Sequence, residues 1–532
     1  MAVKFRILPF LALTALVPLF AEKFYPDDPV WKMPQPISTG KLKPRKLNDY
    51  YDFFRNTFAR PGERHPRKGN PIPAGAVNTL GEVPDSSWFT NRHGSRRMSI
   101  KELMRGPDQD NYPSIDGPWR IVSAKTEGIT PGFSFLDSKN RRYFLKFDPI
   151  TNPEMATAAD VIGSKFFHAL GYNVPENYLV AFDRNRLIVD PSTTFVDAFG
   201  KRRRMSERDV DETLRNVPRG TDGQFRAVAS LVLPGEYLGE FRYHGTRKDD
   251  PNDIVPHEHR RDLRGLFVFC AWLGHDDSRA INTLDFLVEE NGVRFVKHHL
   301  IDFGSILGSA STKSNSARSG NEYLFSWKPS LIQLFTLGFY VPDWARRKYE
   351  YHPAVGLFEG EDFDPEKYRT EYPNPAFLNR LPDDTYWAAK KVMAFTDDEI
   401  RAIVKTGKYS DPRAEQLVAN ALIRRRDKIG KTYFTRVLAL DNFVVSNGKL
   451  EFEDLAVKYK FVPPREYEIR WSVFDNQKEI KHALPESGAS IPRTEAAYLA
   501  ADISSGDPKQ SVTVYLRQSK PSWTVVGIER RW

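Results

Sequence analysis

The chain of 532 residues has one cysteine, Cys270, so no intramolecular disulfide can form and packing must hold the fold. Cys270 sits in the apolar run 266–273, the setting of a buried core thiol rather than a nucleophile. Beyond the N-terminus no segment approaches about eighteen uncharged apolar residues, so no transmembrane helix is expected in the mature chain. Internal repeats and low-complexity tracts are absent. Strong charge segregation is missing too. The net charge of +9 is spread along the chain, and the clusters 201–204 and 424–426 are short and not interleaved with aromatics. They read as solvated faces, so no nucleic-acid partner is expected, while acidic surfaces and phosphorylated substrates are left open. His257 and His259 alternate with Glu258 without further ligands nearby, which favours capping or surface roles over a metal pair.

What is present begins with Lys4 and Arg6, an apolar run from Ile7 to Ala21 interrupted by Pro18, then Glu22-Lys23. This is the form of a secretory signal over 1–21, and the expectation is a secreted or periplasmic protein. No cysteine lies near position 21, which excludes lipoprotein anchoring. Residues 22–118 mix proline, glycine and scattered aromatics, as an extended arm with short helices wrapped round a larger body would.

Strand patterns follow at 119–123, 132–136 and 142–147, and Gly128 and Gly132 between the first two could let backbone amides approach a phosphate. Lys146 stands among apolar residues on the third strand. A helix follows, with Asn152 as cap, Pro153 at its first position, Gly171 at its end and Met155, Ala158, Ile162, Phe166 and Leu170 as its stripe. Glu154, in its first turn, is within reach of Lys146. Residues 174–182 and 186–189 read as a hairpin, 206–215 as a helix and 225–233 as a strand. Pro234-Gly235 marks a hinge, with 232–237 as the candidate adenine contact. A buried helix over 260–273 leads into Gly274-His275-Asp276-Asp277-Ser278-Arg279-Ala280-Ile281-Asn282. Next comes a hairpin turning at Asn291-Gly292, then Asp302-Phe303-Gly304. The hairpin brings Asn282 and Asp302 to one end of a small sheet, as shared metal coordination demands. The segment 305–321 is rich in Ser, Gly and Asn and reads as a loop at a cleft mouth. Helices with Thr396 to Glu399 as a capping box and Asp411-Pro412 as a second start complete a helical body to about 435. Alternating strands fill 436–532.

A carboxylate, an amide five residues on and a second carboxylate after a hairpin form the order used by kinase-type phosphotransferases. In this order the chain resembles the atypical branch of the protein-kinase-like superfamily, including HipA-like, phosphoinositide-kinase-like and secreted CotH-like kinases, over roughly 119–310. The resemblance implies an α+β fold. A bilobal kinase-like core (119–240 and 241–435) would carry the N-terminal arm and a C-terminal β-sandwich-like domain (436–532). It implies Mg²⁺ or Mn²⁺ and ATP, with Lys146 on the phosphates, Glu154 fixing Lys146, Asp277 as catalytic residue, and Asn282 and Asp302 on the metals. Two departures stand out: no GxGxxG is present, and His275-Asp276 replaces the usual His-Arg, making Asp276 an alternative base. The acceptor, whether protein, sugar or lipid, is not legible. A catalytically silent binding protein acting through its C-terminal β domain, or adenylyl transfer, are the alternative readings.

Overall fold

In the computed structural model, residues 22–60, 71–124, 132–196, 201–337, 339–507 and 509–532 are described. The alternating residues after position 118 form β1 (Trp119–Ala124), β2 (Gly132–Leu136) and β3 (Arg142–Phe147). With β4 (Asn177–Phe182), β5 (Leu187–Val189) and β8 (Phe225–Leu231) they build a six-stranded sheet ordered β4-β8-β3-β2-β1-β5. One face buries stacked rings, Trp119 on Phe135 at 4.7 Å and Phe135 on Tyr143 at 5.2 Å. Contact area of this kind supplies most of the stabilisation of such a sheet. On the other face lies α3 (Met155–Leu170), almost wholly buried.

The expected hairpin of 174–182 with 186–189 does not form. β4 pairs antiparallel with β8, and β5 pairs parallel with β1. The intervening turn is held by Arg184, which donates to the Leu187 carbonyl at 2.7 Å and pairs with Glu207 at 2.7 Å, so the chain is drawn off the β4 edge. Glu207 opens α4 (Glu207–Leu214), capped by Ser206 with Asp209, beside the short exposed pair β6 (Thr194–Val196) and β7 (Arg202–Arg204). The start of α3 also differs from expectation. Glu154 takes a left-handed backbone at φ 69°, so helical geometry begins only at Met155. The Asn152 amide is engaged elsewhere, on the Pro353 carbonyl at 2.8 Å. Asp148 instead accepts the Thr157 N–H at 2.8 Å.

After β8 the chain passes Gly235, at φ 105°, where a Cβ would come within 2.5 Å of the Leu287 carbonyl oxygen. It then enters β9 (Glu236–Gly239), which pairs with β10 (Thr283–Glu290); β10 pairs with β11 (Val293–Leu300) through the expected Asn291-Gly292 turn. Segment 232–237 therefore links the two sheets. The helical body centres on α5 (Arg261–Leu273), every residue of which is buried, Cys270 included. After it come α6 (Trp327–Phe335), α7 (Asp343–Arg346) and the small pair β12 (Tyr351–His352) and β13 (Gly356–Leu357); α8 (Pro375–Leu378), α9 (Pro382–Met393) and α11 (Pro412–Phe434) pack on α5, and α10 (Asp397–Lys405) packs on α11. Thr396 and Glu399 cap α10 as expected.

The C-terminal part contains β14 (Leu440–Ser446) and β15 (Lys449–Asp454), a hairpin. Its apolar side chains share one core with a five-stranded antiparallel sheet. That sheet comprises β16 (Glu468–Asp475), β17 (Ile480–Ser487), β18 (Tyr498–Ser504), β19 (Ser511–Ser519) and β20 (Ser522–Arg531), in the order β17-β16-β18-β19-β20. Residues 22–60 touch each part in turn. Phe24 packs between Phe474, Tyr498 and Tyr515. The Thr39 N–H reaches the Arg294 carbonyl at 2.8 Å, the Arg45 N–H reaches the Leu238 carbonyl at 2.8 Å, and α1 (Asp49–Phe54) starts beside loop 274–282. Another short helix of this N-terminal region, α2 (Ile100–Arg105), packs on α3 and α10.

Candidate active site

Lys146 lies on β3 opposite Gly132 of β2 and points toward α3. Its Nζ sits 2.9 Å from Asp160 Oδ2 and 2.9 Å from Asp302 Oδ1. Burial alone would lower the ammonium pKa; the two carboxylates overturn that and hold it above its ordinary value. Asp160 is itself oriented, since its Oδ1 accepts from Asn177 Nδ2 at 2.9 Å. The expected ion pair of Lys146 with Glu154 is absent. The left-handed Glu154 backbone turns its carboxylate away, and Oε2 accepts the Ser410 N–H at 2.9 Å. The helix partner of Lys146 is Asp160, six residues on. Gly128 lies outside the described residues.

Asp302 takes a left-handed backbone, φ 63° and ψ 58°, just past β11. Phe303 then stacks on Phe167 of α3 at 4.7 Å, and Gly163 leaves room for it: a Cβ there would lie 2.6 Å from the Phe303 Cβ and 3.1 Å from its ring. The Asp-Phe-Gly turn is thus clamped to the helix that carries Asp160.

Loop 274–282 is fixed at both ends. Gly274 ends α5 in the left-handed region, and Thr283 Oγ1 donates to the Ala280 carbonyl at 2.7 Å and accepts the Phe241 N–H at 2.9 Å. Within the loop, Asn282 Nδ2 donates to the Asp277 carbonyl at 2.7 Å, and the Ile301 N–H reaches the Asn282 carbonyl at 3.1 Å. Asn282 and Asp302 consequently occupy one end of the β10–β11 ladder, where Thr283 faces Leu300.

Asp277 pairs with Arg279, and its Oδ2 accepts weakly from Ser305 Oγ at 3.4 Å. Burial pushes its carboxyl up, Arg279 opposes this and the Asp302 charge adds to it. Arg279 also holds Asp49 of α1 at 2.7 Å and Glu371 at 3.3 Å. Sequence reasoning missed this arginine bridge, because its partners lie 230 and about ninety residues away with no local signal. Asp276 faces Glu371 and Ser319 rather than Asp302; burial, then the Glu371 and Asp277 charges, push it up to about 7. Burial pushes His275 down to about 4, so its ring is an uncharged packing group beside Phe167 and Phe303.

Lys146, Asp160, Asp302, Gly304 and Ser311 line a small cavity of about 10 Å³, room for a water. A cavity of about 590 Å³ opens elsewhere, between the β4 edge and Lys408, and is lined by Glu154 but by none of Lys146, Asp277, Asn282 or Asp302. Among the described residues no group of three or more His, Cys, Asp or Glu is placed to hold a metal on its own. An amide and a carboxylate oxygen at one end of a sheet are nevertheless the hard donors that Mg²⁺ or Mn²⁺ takes when phosphates complete the shell. The largely buried carboxylate of Asp277 and the partly exposed one of Asp302 fit such a cation.

No family model matches the sequence, and no curated protein matches it. Among solved structures, the proinflammatory kinase CtkA of Helicobacter pylori overlaps 57% of this chain and 93% of its own, at 13% identity and TM-score 0.30. The Golgi casein kinase overlaps 62% of this chain and 76% of its own, at 10% identity and TM-score 0.28. Its form with Mn/ADP bound overlaps 63% and 76%, at 10% identity and TM-score 0.28. Overlap at these TM-scores is too slight to carry function, which must be argued from the side chains.

Proposed function

We propose that the chain is a kinase-like phosphotransferase moving the γ-phosphoryl group of Mg²⁺- or Mn²⁺-bound ATP to a hydroxyl acceptor. The observation that supports it is the meeting of Lys146, Asp160 and Asp302 around one small cavity, with Asn282, bonded to the Asp277 carbonyl, at the same end of the β10–β11 ladder as Asp302. Lys146, oriented by Asp160, would hold the α- and β-phosphates. Asn282 and Asp302 would hold the metal, which supplies charge neutralisation at the transferring group. Asp277 would accept the hydroxyl proton, with Arg279 setting its orientation and Asn282 its backbone. Catalysis of this kind is positioning plus electrostatics, and these residues offer both. The acceptor class is unassigned. With residues 1–21 read as a secretory signal, the protein would act outside the cytoplasm.

One observation favours a second reading, a silent kinase-like fold serving as a binding protein. Lys146 is paired directly with Asp302, and the cavity between them is too small for a triphosphate without movement. Isothermal titration of Mg²⁺–ATP decides between them, followed by phosphate release or product mass spectrometry. Metal-dependent binding with turnover supports the transferase, whereas no binding at millimolar nucleotide leaves the silent reading. Adenylyl transfer would appear in the same mass spectra as an added nucleotide.

A further inference from the structure

Helix α6 has nine residues and not one is buried. Its apolar residues Trp327, Leu331 and Leu334 recur at i, i+4 and i+7, so they form one stripe, and the stripe faces solvent. Phe335, Leu337 and Phe339 continue it at 82%, 84% and 86% exposure. Water rarely meets so many large side chains in a row without a partner. The surface is not confined to α6. Phe325 packs at 4.8 Å on Trp327 and at 4.9 Å on Phe58, and Phe58 meets Phe54 of α1 at 5.0 Å, so two distant segments pool their rings on one face.

Basic residues predominate in and after this segment. Exposed Lys328 lies within α6, and exposed Arg346 and Lys348 with half-buried Arg347 follow it in the chain, against the exposed carboxylates Asp343 and Glu350. A basic flank beside an exposed apolar stripe that carries Trp327, with Tyr340 exposed next to Phe339, complements an anionic lipid surface, with rings at the acyl boundary and ammonium and guanidinium groups at the headgroups. No described helix is long and apolar enough to cross a membrane, so contact would be with one leaflet.

We propose that α6 and the segment after it seat the protein on an anionic lipid surface. This does not rest on the phosphotransfer reading, but it bears on it. The Leu324 N–H donates to the Glu371 carbonyl at 2.7 Å, and Glu371 pairs with Arg279, so the docking face springs from the wall of the site. An acceptor carried on the lipid surface would meet the site from that side.

The test is co-sedimentation of the full chain with vesicles of phosphatidylcholine alone or mixed with phosphatidylglycerol, alongside light scattering. The wild type should sediment with the mixed vesicles, less so as salt rises. The double variant Leu334→Glu/Phe335→Glu, whose sites are exposed and whose melting should be unchanged, should bind at least about tenfold more weakly. Arg346→Ser/Lys348→Ser should lose the preference for phosphatidylglycerol. The proposal is overturned if the wild type ignores both vesicles or if the glutamate variant binds like it. It is equally overturned if the wild type is a dimer that this variant dissociates without any vesicle binding, which would give the face to a second copy.

Discussion

The ammonium of Lys146 and the carboxylate of Asp160 meet at 2.9 Å, joining the central strand of the first sheet to the middle of α3. This pair, and not one with Glu154, should control nucleotide binding. Asp160→Asn removes the charge that keeps Lys146 oriented between two acids. It is expected to weaken Mg²⁺–ATP binding by roughly tenfold or more, the scale of a lost charge-assisted hydrogen bond. Glu154→Gln should leave affinity within about twofold. Calorimetric titration of both variants checks the order, and equal losses would reverse the assignment.

Asp277 and Asp302 should separate chemistry from binding. Asp302→Ala takes away a presumed metal ligand and should abolish the stabilisation given by Mg²⁺–ATP, about 2.7 kcal/mol at one hundred times Kd. Asp277→Asn should keep that stabilisation and lose turnover by about 10²–10⁴-fold, as loss of a general base does. Thermal shift and phosphate release, measured on the same preparations, read the two effects apart.

Asp276 and Glu371 are both pushed up to about 7, by burial first and then by neighbouring negative charge. The folded state therefore binds protons more tightly than the unfolded chain does. Their contribution is fully present below pH 4 and is lost as pH rises through 7. Stability should fall between pH 5 and 8 through these groups. Asp276→Asn should flatten that slope and raise stability at pH 8 by on the order of 3 kcal/mol. Urea melts at several pH values decide it; a slope unchanged in the variant would refute the role of Asp276.

Phe24 is buried among Phe474, Tyr498 and Tyr515, with Gly527 directly beneath its ring. Phe24→Ala should cost about 3–5 kcal/mol at that contact. Gly527→Val should do comparable damage, since even a Cβ would sit 2.4 Å from the ring. Hydrogen exchange should then show residues 22–34 and β20 losing protection together, with the helical body unaffected.

Much of this arrangement can be read in the residues. The Asn-Gly turn, the alternation of 132–136 and 142–147, and the boundary of α3 at Gly171 are local signals, and each element stands where its signal puts it. The hairpin between Asn282 and Asp302 is likewise local, so the pairing of those two ends was legible. The partner of Lys146 was not, because it depended on where α3 begins. A proline after a capping residue points to Asn152, but tertiary bonds to Pro353 claim that amide and the backbone reverses at Glu154. One signal was available: Asp160 is the one carboxylate of α3 and lies between Ala159 and Val161 on its apolar stretch, where it needs a buried cation. β4 and β5 were misjoined for a related reason, since alternation reveals a strand but not its neighbour. Arg279, Asp49 and Glu371 come from three remote segments, and nothing in the spacing of any of them names the other two.

The bond network at Asn476, Tyr515 and Gly527 that receives residues 22–24 has a consequence for synthesis. During translation this stretch is made some 490 residues before the β19 arginine, Arg517, that binds it. Until the later strands exist its aromatic side chains have no berth, so this contact closes only after the intervening helical body has been synthesised.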